Sequence, residues 1–451
     1  MTHTETHADA ETTTVAIAGG GPAGIMLGLL LARAGVDVTV LEKHGDFIRD
    51  FRGDTVHPST LELLDELGLA EELEGIPHRD ADRLTIGSAE RPIITADLSR
   101  YPWRHPYIAL IPQWDFLNML VEHAQRYPGF RLLMRAECTD PIEDDGAVRG
   151  LRYIQRGEDG SEEARELRAV LTVSADGRRS RLREAAGLVP VDLGAPMDVL
   201  WLRVTRDPDA PEVGLNGRLG TGAMGVAIDR GDYWQVAYLI PKGVEGADDV
   251  RTRSVEEFQE RLLEVLPFLG EHVREVDDWS KVAFLEVGLD RLRHWFRPGY
   301  LCIGDAAHTM SPIGGVGINL AIQDAVASAN LLAEPLLRAQ AEPERFERTL
   351  NPALLARVQQ RRWAATAGTQ LFQQVVQRQV IQRVLSSRKE QPIPFPLRTE
   401  AGSRAWSRVV ARVMLRGIRP EHIRTPERSA PVVPAQKRVP SVTRATAQGP
   451  S

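Results

Sequence analysis

The residues of this chain that could do chemistry fall in two glycine-rich segments and one Asp-Gly step. Gly19, Gly21 and Gly24 stand at G-x-G-x-x-G spacing within Gly19-Gly20-Gly21-Pro22-Ala23-Gly24, and Glu42 follows 18 residues beyond Gly24. In such a set the first glycine permits a tight turn and the second lets the backbone approach a pyrophosphate. The third allows close helix–strand packing. A carboxylate at that distance can accept hydrogen bonds from ribose hydroxyls. Gly304-Asp305 opens the second segment, where Pro312, Gly314, Gly315 and Gly317 precede Ile318-Asn319. Small residues at a helix entrance suit close backbone approach to a planar ligand, and the helix dipole there favours negative charge. Asp176-Gly177 alone reads as a turn. Cys138 and Cys302, the two cysteines, lie far apart without metal-ligand spacing. They argue for a reducing compartment and against structural zinc. Neither a nucleophilic triad nor a metal site is expected, so the chemistry is that of holding a dinucleotide.

Those residues need rigid supports. Val15 to Ala18 is an apolar run suited to a buried parallel strand. Ile25 to Ala34 is helix-forming, Gly35 ends that helix, and Val36 to Leu41 reads as a second strand closed by Glu42. Ala169 to Ala175 is a strand running into Asp176-Gly177, with a basic helix start behind it. Another buried strand ends at Gly304-Asp305, and a helix begins near Ile318. Thr12 to Ala32 is uncharged and as long as a membrane span. Three consecutive glycines and Pro22 interrupt it, and strand–turn–helix explains the same residues better. No span and no secretion signal are expected.

In order and approximate spacing, the three segments resemble those of the group A flavoprotein monooxygenases, the para-hydroxybenzoate hydroxylase-like family, over about residues 13–345. The resemblance implies FAD as cofactor, with Glu42 at the adenosine ribose and Lys43 beside it. It implies Asp305 at the ribityl chain and the stretch Pro312 to Asn319, including Gly315, Gly317 and Ile318, beside the isoalloxazine, with backbone amides near its pyrimidine edge. Arg52 and Gln113 match residues that contact FAD in the family, and Cys138 falls on the strand passing the adenine. Asp176 would share in holding FAD and admitting the nicotinamide cofactor. The implied reaction is NAD(P)H-dependent, with NADPH favoured. O2 is co-substrate, and an aromatic or polyketide-like small molecule is hydroxylated through a flavin C4a-hydroperoxide. A flavin-dependent reductase or halogenase on the same scaffold is an alternative. The Trp-x-Trp-x-Ile-Pro segment of tryptophan-type halogenases is absent, and of five lysines only Lys242 and Lys281 lie in suitable regions.

The implied architecture is α/β: a Rossmann-like FAD-binding domain of the glutathione reductase type, an inserted β-sheet substrate domain and a helical C-terminal region. The FAD domain would comprise 13–75, 108–188 and 280–345, and the substrate sheet 76–107 and 189–279. The helical region would be 346–425, with disorder at 1–12 and 426–451. Asp198 to Val204, Gly225 to Asp229 and Tyr233 to Ile240 read as strands of the inserted sheet, with Asp229-Arg230-Gly231-Asp232 as a hairpin turn. Trp201, Trp234 and Tyr238 are candidates for the substrate pocket wall, against ordinary sheet packing. His57 is a candidate for proximity to the flavin, against a structural role, and precedes an expected capping box of Ser59 with Glu62. His308 reads as a brace for its loop rather than a catalyst.

A net charge of -7 excludes a nucleic-acid binder. From Val384 to the end, however, 13 basic residues face 4 acidic ones, and Arg404, Arg408, Arg412 and Arg416 recur every four residues. With Trp406, Val409, Val410 and Val413 opposite, 403–418 reads as a basic amphipathic helix. Docking on the chain's own acidic body or a second subunit is preferred over recruitment of a flavin-binding protein to an anionic membrane or acidic partner. A homodimer stays open, and a cytoplasmic location is expected.

Overall fold

The computed structural model describes residues 11–48, 55–87, 92–210, 214–243, 252–342, 344–386 and 399–428. Arg52 lies outside them, as do most of the two expected disordered ends. At the inner edge of the first, Glu11 and Thr12 are not disordered but pair with Leu167 and Arg168 at the start of a strand. Glu11 is held there by ion pairs to Arg131 and Arg165.

An eight-stranded sheet forms the first layer. Its parallel centre consists of β1 (Glu11–Ala18) and β2 (Val38–Glu42), which flank α1 (Pro22–Arg33) in the chain. The inserted-sheet strands β3 (Arg83–Gly87) and β4 (Pro92–Asp97) come next. Then β5 (Phe130–Met134) joins β2, while β6 (Ala136–Asp144) and β7 (Ala147–Arg156) lead antiparallel into the long β8 (Glu162–Ser174). The second half of β8 runs parallel to β1. Strands that are buried on both faces read as unbroken apolar runs, as Val15 to Ala18 does. Helix α1 packs tightly because residue 24 is glycine: a Cβ there would lie 2.0 Å from the Gly19 carbonyl oxygen.

The second layer is a seven-stranded sheet built from β9 (Met197–Thr205), β10 (Leu215–Leu219), β11 (Met224–Asp229) and β12 (Tyr233–Pro241), with β13 (Ala283–Leu285) at one edge and β3 and β4 at the other. The turn 229–232 joins β11 to β12 as an antiparallel hairpin. Side chains alternate between faces with period two. Leu200, Leu202, Val204, Trp234, Val236 and Tyr238 share one face, packed under the helix Val255–Val265. Met197, Val199, Trp201, Ala237 and Leu239 point the other way, toward Ile313 and the C-terminal helices.

The chain returns through β14 (Phe296–Arg297) and β15 (Tyr300–Cys302), the latter parallel to β8. A 24-residue helix, Gly317–Gln340, and then the helix Pro352–Val376 follow. Gly317–Gln340 belongs to the stretch Ile313–Gln340, which is apolar enough to cross a membrane by length and composition, yet its most apolar part is 78% buried in the protein, as befits a core helix. The amphipathic helix Glu400–Val410 lies on the chain's own body and continues as a wider π-type turn, Ala411–Arg416, ending at Gly417. Trp406 stacks on Phe372 at 5.2 Å. Val410, Ala411, Met414 and Leu415 are buried against Leu98, Ile108, Ile228 and Leu320. Arg416 pairs with Glu62, while Arg408 and Arg412 face solvent.

Candidate active site

The glycine turn after β1 is held between two acids. Gly19 has φ 103°, and a Cβ on it would meet the Ala175 carbonyl oxygen at 2.5 Å and the Asp176 Cα at 2.7 Å. The end of β8 therefore abuts the turn. Gly20 N–H donates to Glu42 Oε2 at 3.0 Å, and His44 N–H donates to Oε1 at 3.0 Å. Burial, with the carboxylates of Asp176, Glu42 and Glu137 nearby, pushes the Cys138 thiol well above its usual range. Lys43 is exposed next to Glu42. Around Gly21 the space is open, since a Cβ there would meet nothing within 4 Å. Helix α1 starts with Pro22 and a buried Ala23, with neither an acidic first turn nor a side-chain cap. Its first N–H groups are thus available to an anion.

The Gly-Asp segment meets this turn. A Cβ on Gly304 would stand 3.1 Å from Ala321 Cβ and 3.3 Å from Ala23 Cβ, so the starts of α1 and of Gly317–Gln340 converge there. The second helix also lacks an acidic first turn and a side-chain cap. Asp305 Oδ1 lies 3.9 Å from where a Cβ on Gly317 would be. Arg183 donates to the Ala306 carbonyl at 3.1 Å, tying the Asp-Gly segment to the Gly-Asp segment. Asp176 Oδ1 is buried without a hydrogen-bond partner among the described residues. Burial raises the pKa of Asp176, against the lowering influence of Ser180 and Ser174.

The loop from Pro312 to Val316 is shaped by Gly314 (φ 78°) and Gly315 (φ 61°), and a Cβ on Gly315 would lie 2.3 Å from Thr55 Oγ1. Asn319 locks it. Its Oδ1 accepts from His57 N–H at 2.9 Å and Thr60 Oγ1 at 2.7 Å, and its Nδ2 donates to the carbonyls of Thr55 and Gly315, each at 3.1 Å. Ile318 is half-buried beside it. Gln113 opens the helix Gln113–Ala124 behind the strand Ile108–Leu110, which pairs with Thr55–Val56.

One expectation needs correction, and the geometry sets where Trp201, Trp234, Tyr238 and His57 lie. The Ser59–Glu62 capping box does not form: with Pro58 in the first turn, His57 itself is the N-cap of the helix Pro58–Glu66, and Glu62 pairs with Arg416. Trp234 and Tyr238 do not face the loop. The register sets Val204 opposite Trp234 and Leu200 opposite Tyr238, on the face away from it, whereas Trp201 is on the loop side. His57 is buried, with Nδ1 3.0 Å from the Met414 carbonyl and Nε2 3.6 Å from where a Cβ on Gly315 would stand. Burial lowers its pKa to about 4, against the backbone hydrogen bond, so the ring is neutral.

One network had no sequence signal. Asp324, fully buried, accepts from His308 Nε2 at 2.6 Å, Arg362 Nε at 2.9 Å and Gly304 N–H at 3.1 Å. Burial opposes its charge, yet His308 and Arg362 hold its pKa below the usual carboxylate range. His308 also packs on Trp295 with ring centroids 4.9 Å apart, which is a bracing position. Among the described residues no group of three His, Cys, Asp or Glu could hold a metal ion. The open space at Gly21 and two uncapped helix starts fit the anionic pyrophosphate of a dinucleotide such as FAD.

Comparison with known proteins agrees. The family described as FAD binding domain matches residues 12–353. 6-Methylpretetramide 4-monooxygenase of Streptomyces rimosus is 34% identical over 74% of this chain and 79% of its own length. Dialkyldecalin synthase of Streptomyces rugosporus is 28% identical over 69% of this chain and 63% of its own length. The crystal structure of p-nitrophenol 4-monooxygenase PnpA from Pseudomonas putida DLL-E4 superposes with a TM-score of 0.65 at 20% identity, covering 90% of this chain and 96% of that one. This chain belongs to the FAD-binding family of group A, para-hydroxybenzoate hydroxylase-like flavoprotein monooxygenases.

Proposed function

We propose that the chain hydroxylates a polycyclic, phenolic polyketide-type aromatic, using FAD, O2 and NADPH. The observation that carries the reading is the convergence of two uncapped helix starts on Gly304-Asp305, beside a glycine loop that faces an apolar sheet. Bound there and reduced by the nicotinamide cofactor, FAD supplies the activation of O2 for transfer of one oxygen atom to an electron-rich carbon. The chain's part is to bind, orient and exclude water. Glu42 holds the adenosine ribose, with Lys43 and Cys138 beside it, and the α1 start (Gly19, Gly21, Pro22, Ala23, Gly24) takes the pyrophosphate. Asp305 holds the ribityl chain. Pro312 to Asn319 present backbone N–H groups to the pyrimidine edge, with Asn319 keeping the loop in place. Arg52, Gln113 and Asp176 complete the cofactor set.

Substrate would lie between that loop and the sheet face that carries Trp201, Met224, Val226 and Leu239. Ile313 and the buried Met414 pack in the apolar cluster beside it. An apolar face suits a large planar aromatic, and the 34% identity to 6-methylpretetramide 4-monooxygenase supports that class. We place the enzyme in the cytoplasm, where its two free thiols stay reduced. Incubating the FAD-loaded enzyme with NADPH, O2 and a panel of simple phenols, polycyclic polyketides and hydroxyquinolines tests the proposal by mass spectrometry. A gain of one oxygen atom on the polycyclic members is expected; turnover confined to simple phenols would overturn the substrate class.

A further inference from the structure

Behind the loop, between the helices Gly317–Gln340 and Pro352–Val376 and the segment 413–420, lies a partly open cleft with a cavity of about 20 Å³ lined by residues that include His57, Asn319, Gln323, Arg362, Thr369 and Met414. Roughly 10–15 Å³ on this measure holds one water molecule. Five polar atoms of these wall residues have no hydrogen-bond partner among the described residues: His57 Nε2, Gln323 Nε2, Arg362 Nη1 and Nη2, and Thr369 Oγ1. The four side chains that carry them are at most 4% exposed. Buried polar atoms are nearly always hydrogen-bonded, so five on one small cavity point to a ligand.

Hydrogen-bonding capacity defines that ligand. Nδ1 of His57 faces the Met414 carbonyl at 3.0 Å, and a carbonyl only accepts. Nδ1 therefore carries the proton, and Nε2 of the neutral ring presents a lone pair. The ligand must donate at His57. It must also accept from Gln323 Nε2 and Arg362 Nη2, which only donate, while Arg362 Nη1 stands 3.6 Å from Glu421 Oε1. An anion meets the second demand and fails the first. It also finds no spare positive charge, because Arg361 and Arg362 already face Asp324 and Glu421. A metal cation would suit Nε2 but lie against the guanidinium. A molecule that both donates and accepts, is neutral, and fits this volume is water.

We propose that this cavity is a built water site: one or two ordered water molecules donate to His57 Nε2 and accept from Arg362 and Gln323, with the Thr369 hydroxyl as a further partner. The waters fix the neutral Nδ1–H tautomer, and with it the bond from His57 to Met414 that ties the C-terminal segment to the loop at Gly315. His57 is thus a positioning residue, and the low pKa that burial imposes on it is compatible with this state.

The test uses the full-length holoprotein labelled with 15N-histidine, with His57 assigned by comparison with His57→Gln, and a crystal structure fine enough to show ordered water. The expected result is a neutral Nδ1–H imidazole for His57 from pH 7 down to pH 5. One or two water peaks should lie within hydrogen-bonding distance of Nε2. In the Gln323→Leu/Thr369→Val double variant those peaks should be lost and the tautomer signal should broaden or shift. An Nε2–H tautomer in the unmodified protein, a dry cavity, or an ion in place of water would each overturn the proposal without need of the variant.

Discussion

Replacing Asn319 with alanine removes four hydrogen bonds from the loop at once. The consequences are unequal. His57 N–H and the Thr60 hydroxyl are buried donors and lose their acceptor. The Gly315 carbonyl keeps the Thr55 hydroxyl at 3.2 Å. A stranded buried donor costs about 1–3 kcal/mol and an ordinary lost bond about 0.5–1.5, so a total of about 3–4 kcal/mol is expected after partial relaxation. If roughly 2.7 kcal/mol of this falls on the loop proposed to face the flavin, FAD affinity drops by about 100-fold. Urea unfolding of the stripped protein measures the first quantity, and titration of stripped protein with FAD, followed by quenching of flavin fluorescence, measures the second. Asn330→Ala is the control. Its side chain bonds the His422 carbonyl and Arg424 N–H on the C-terminal segment, both at 2.8 Å, so it should lower stability and leave FAD affinity alone. An Asn319→Ala protein that loses under about 1 kcal/mol, less than one stranded buried donor, and binds FAD within about twofold of the parent would refute the reasoning.

Other perturbations follow from the same geometry. Asp305→Ala should purify with substoichiometric flavin while keeping its circular dichroism spectrum, and full flavin content would remove Asp305 from the ribityl position. His57 makes stability depend on pH. Its pKa falls from 6.5 to about 4 on folding, so the unfolded chain binds the extra proton between those values. Stability is therefore complete above pH 6.5 and declines as pH falls toward 4, by about 3 kcal/mol for this one group. His57→Gln should flatten that part of the urea-midpoint profile, and an unchanged slope would contradict the assignment. Arg362→Met removes the buried guanidinium from Asp324, which keeps His308, and from Glu421, which keeps Arg361, so the expected loss is at the low end of the range for a broken buried pair, about 3 kcal/mol. A melting temperature within a degree or two of the parent would show that the network is not as tightly coupled as its distances imply.

The nucleotide half was legible because its signals are local. The apolar run at Val15, three spaced glycines, a helix-forming stretch and a terminal acid each restrict the backbone within a few residues, and the hairpin turn 229–232 did the same for β11 and β12. What escaped depended on distant residues. Asp324 and Arg362 are 38 residues apart and meet only because two long helices pack side by side, so no spacing rule reaches them. Trp234 and Tyr238, four apart on one strand, had to share a face. Which side that face took was decided by the register of β12 against β9. The cap of the helix Pro58–Glu66 moved from Ser59 to His57 because Pro58, which has no N–H to lose, occupies the first turn. The basic amphipathic helix was visible as a pattern. Its seat against Phe372 and Leu320 was not, since apolar spacing shows which face is buried but not against what.

The most direct test of the central claim is to run the reaction under isotopically labelled O2, with FAD-loaded enzyme, NADPH and the polycyclic phenol panel, and to read the product mass. One labelled oxygen atom in the product, with NADPH consumed in equal amount, is the predicted result. NADPH consumption that yields a reduced or rearranged product with no added oxygen would contradict monooxygenation, and an oxygenated product whose added oxygen carries no label would do the same.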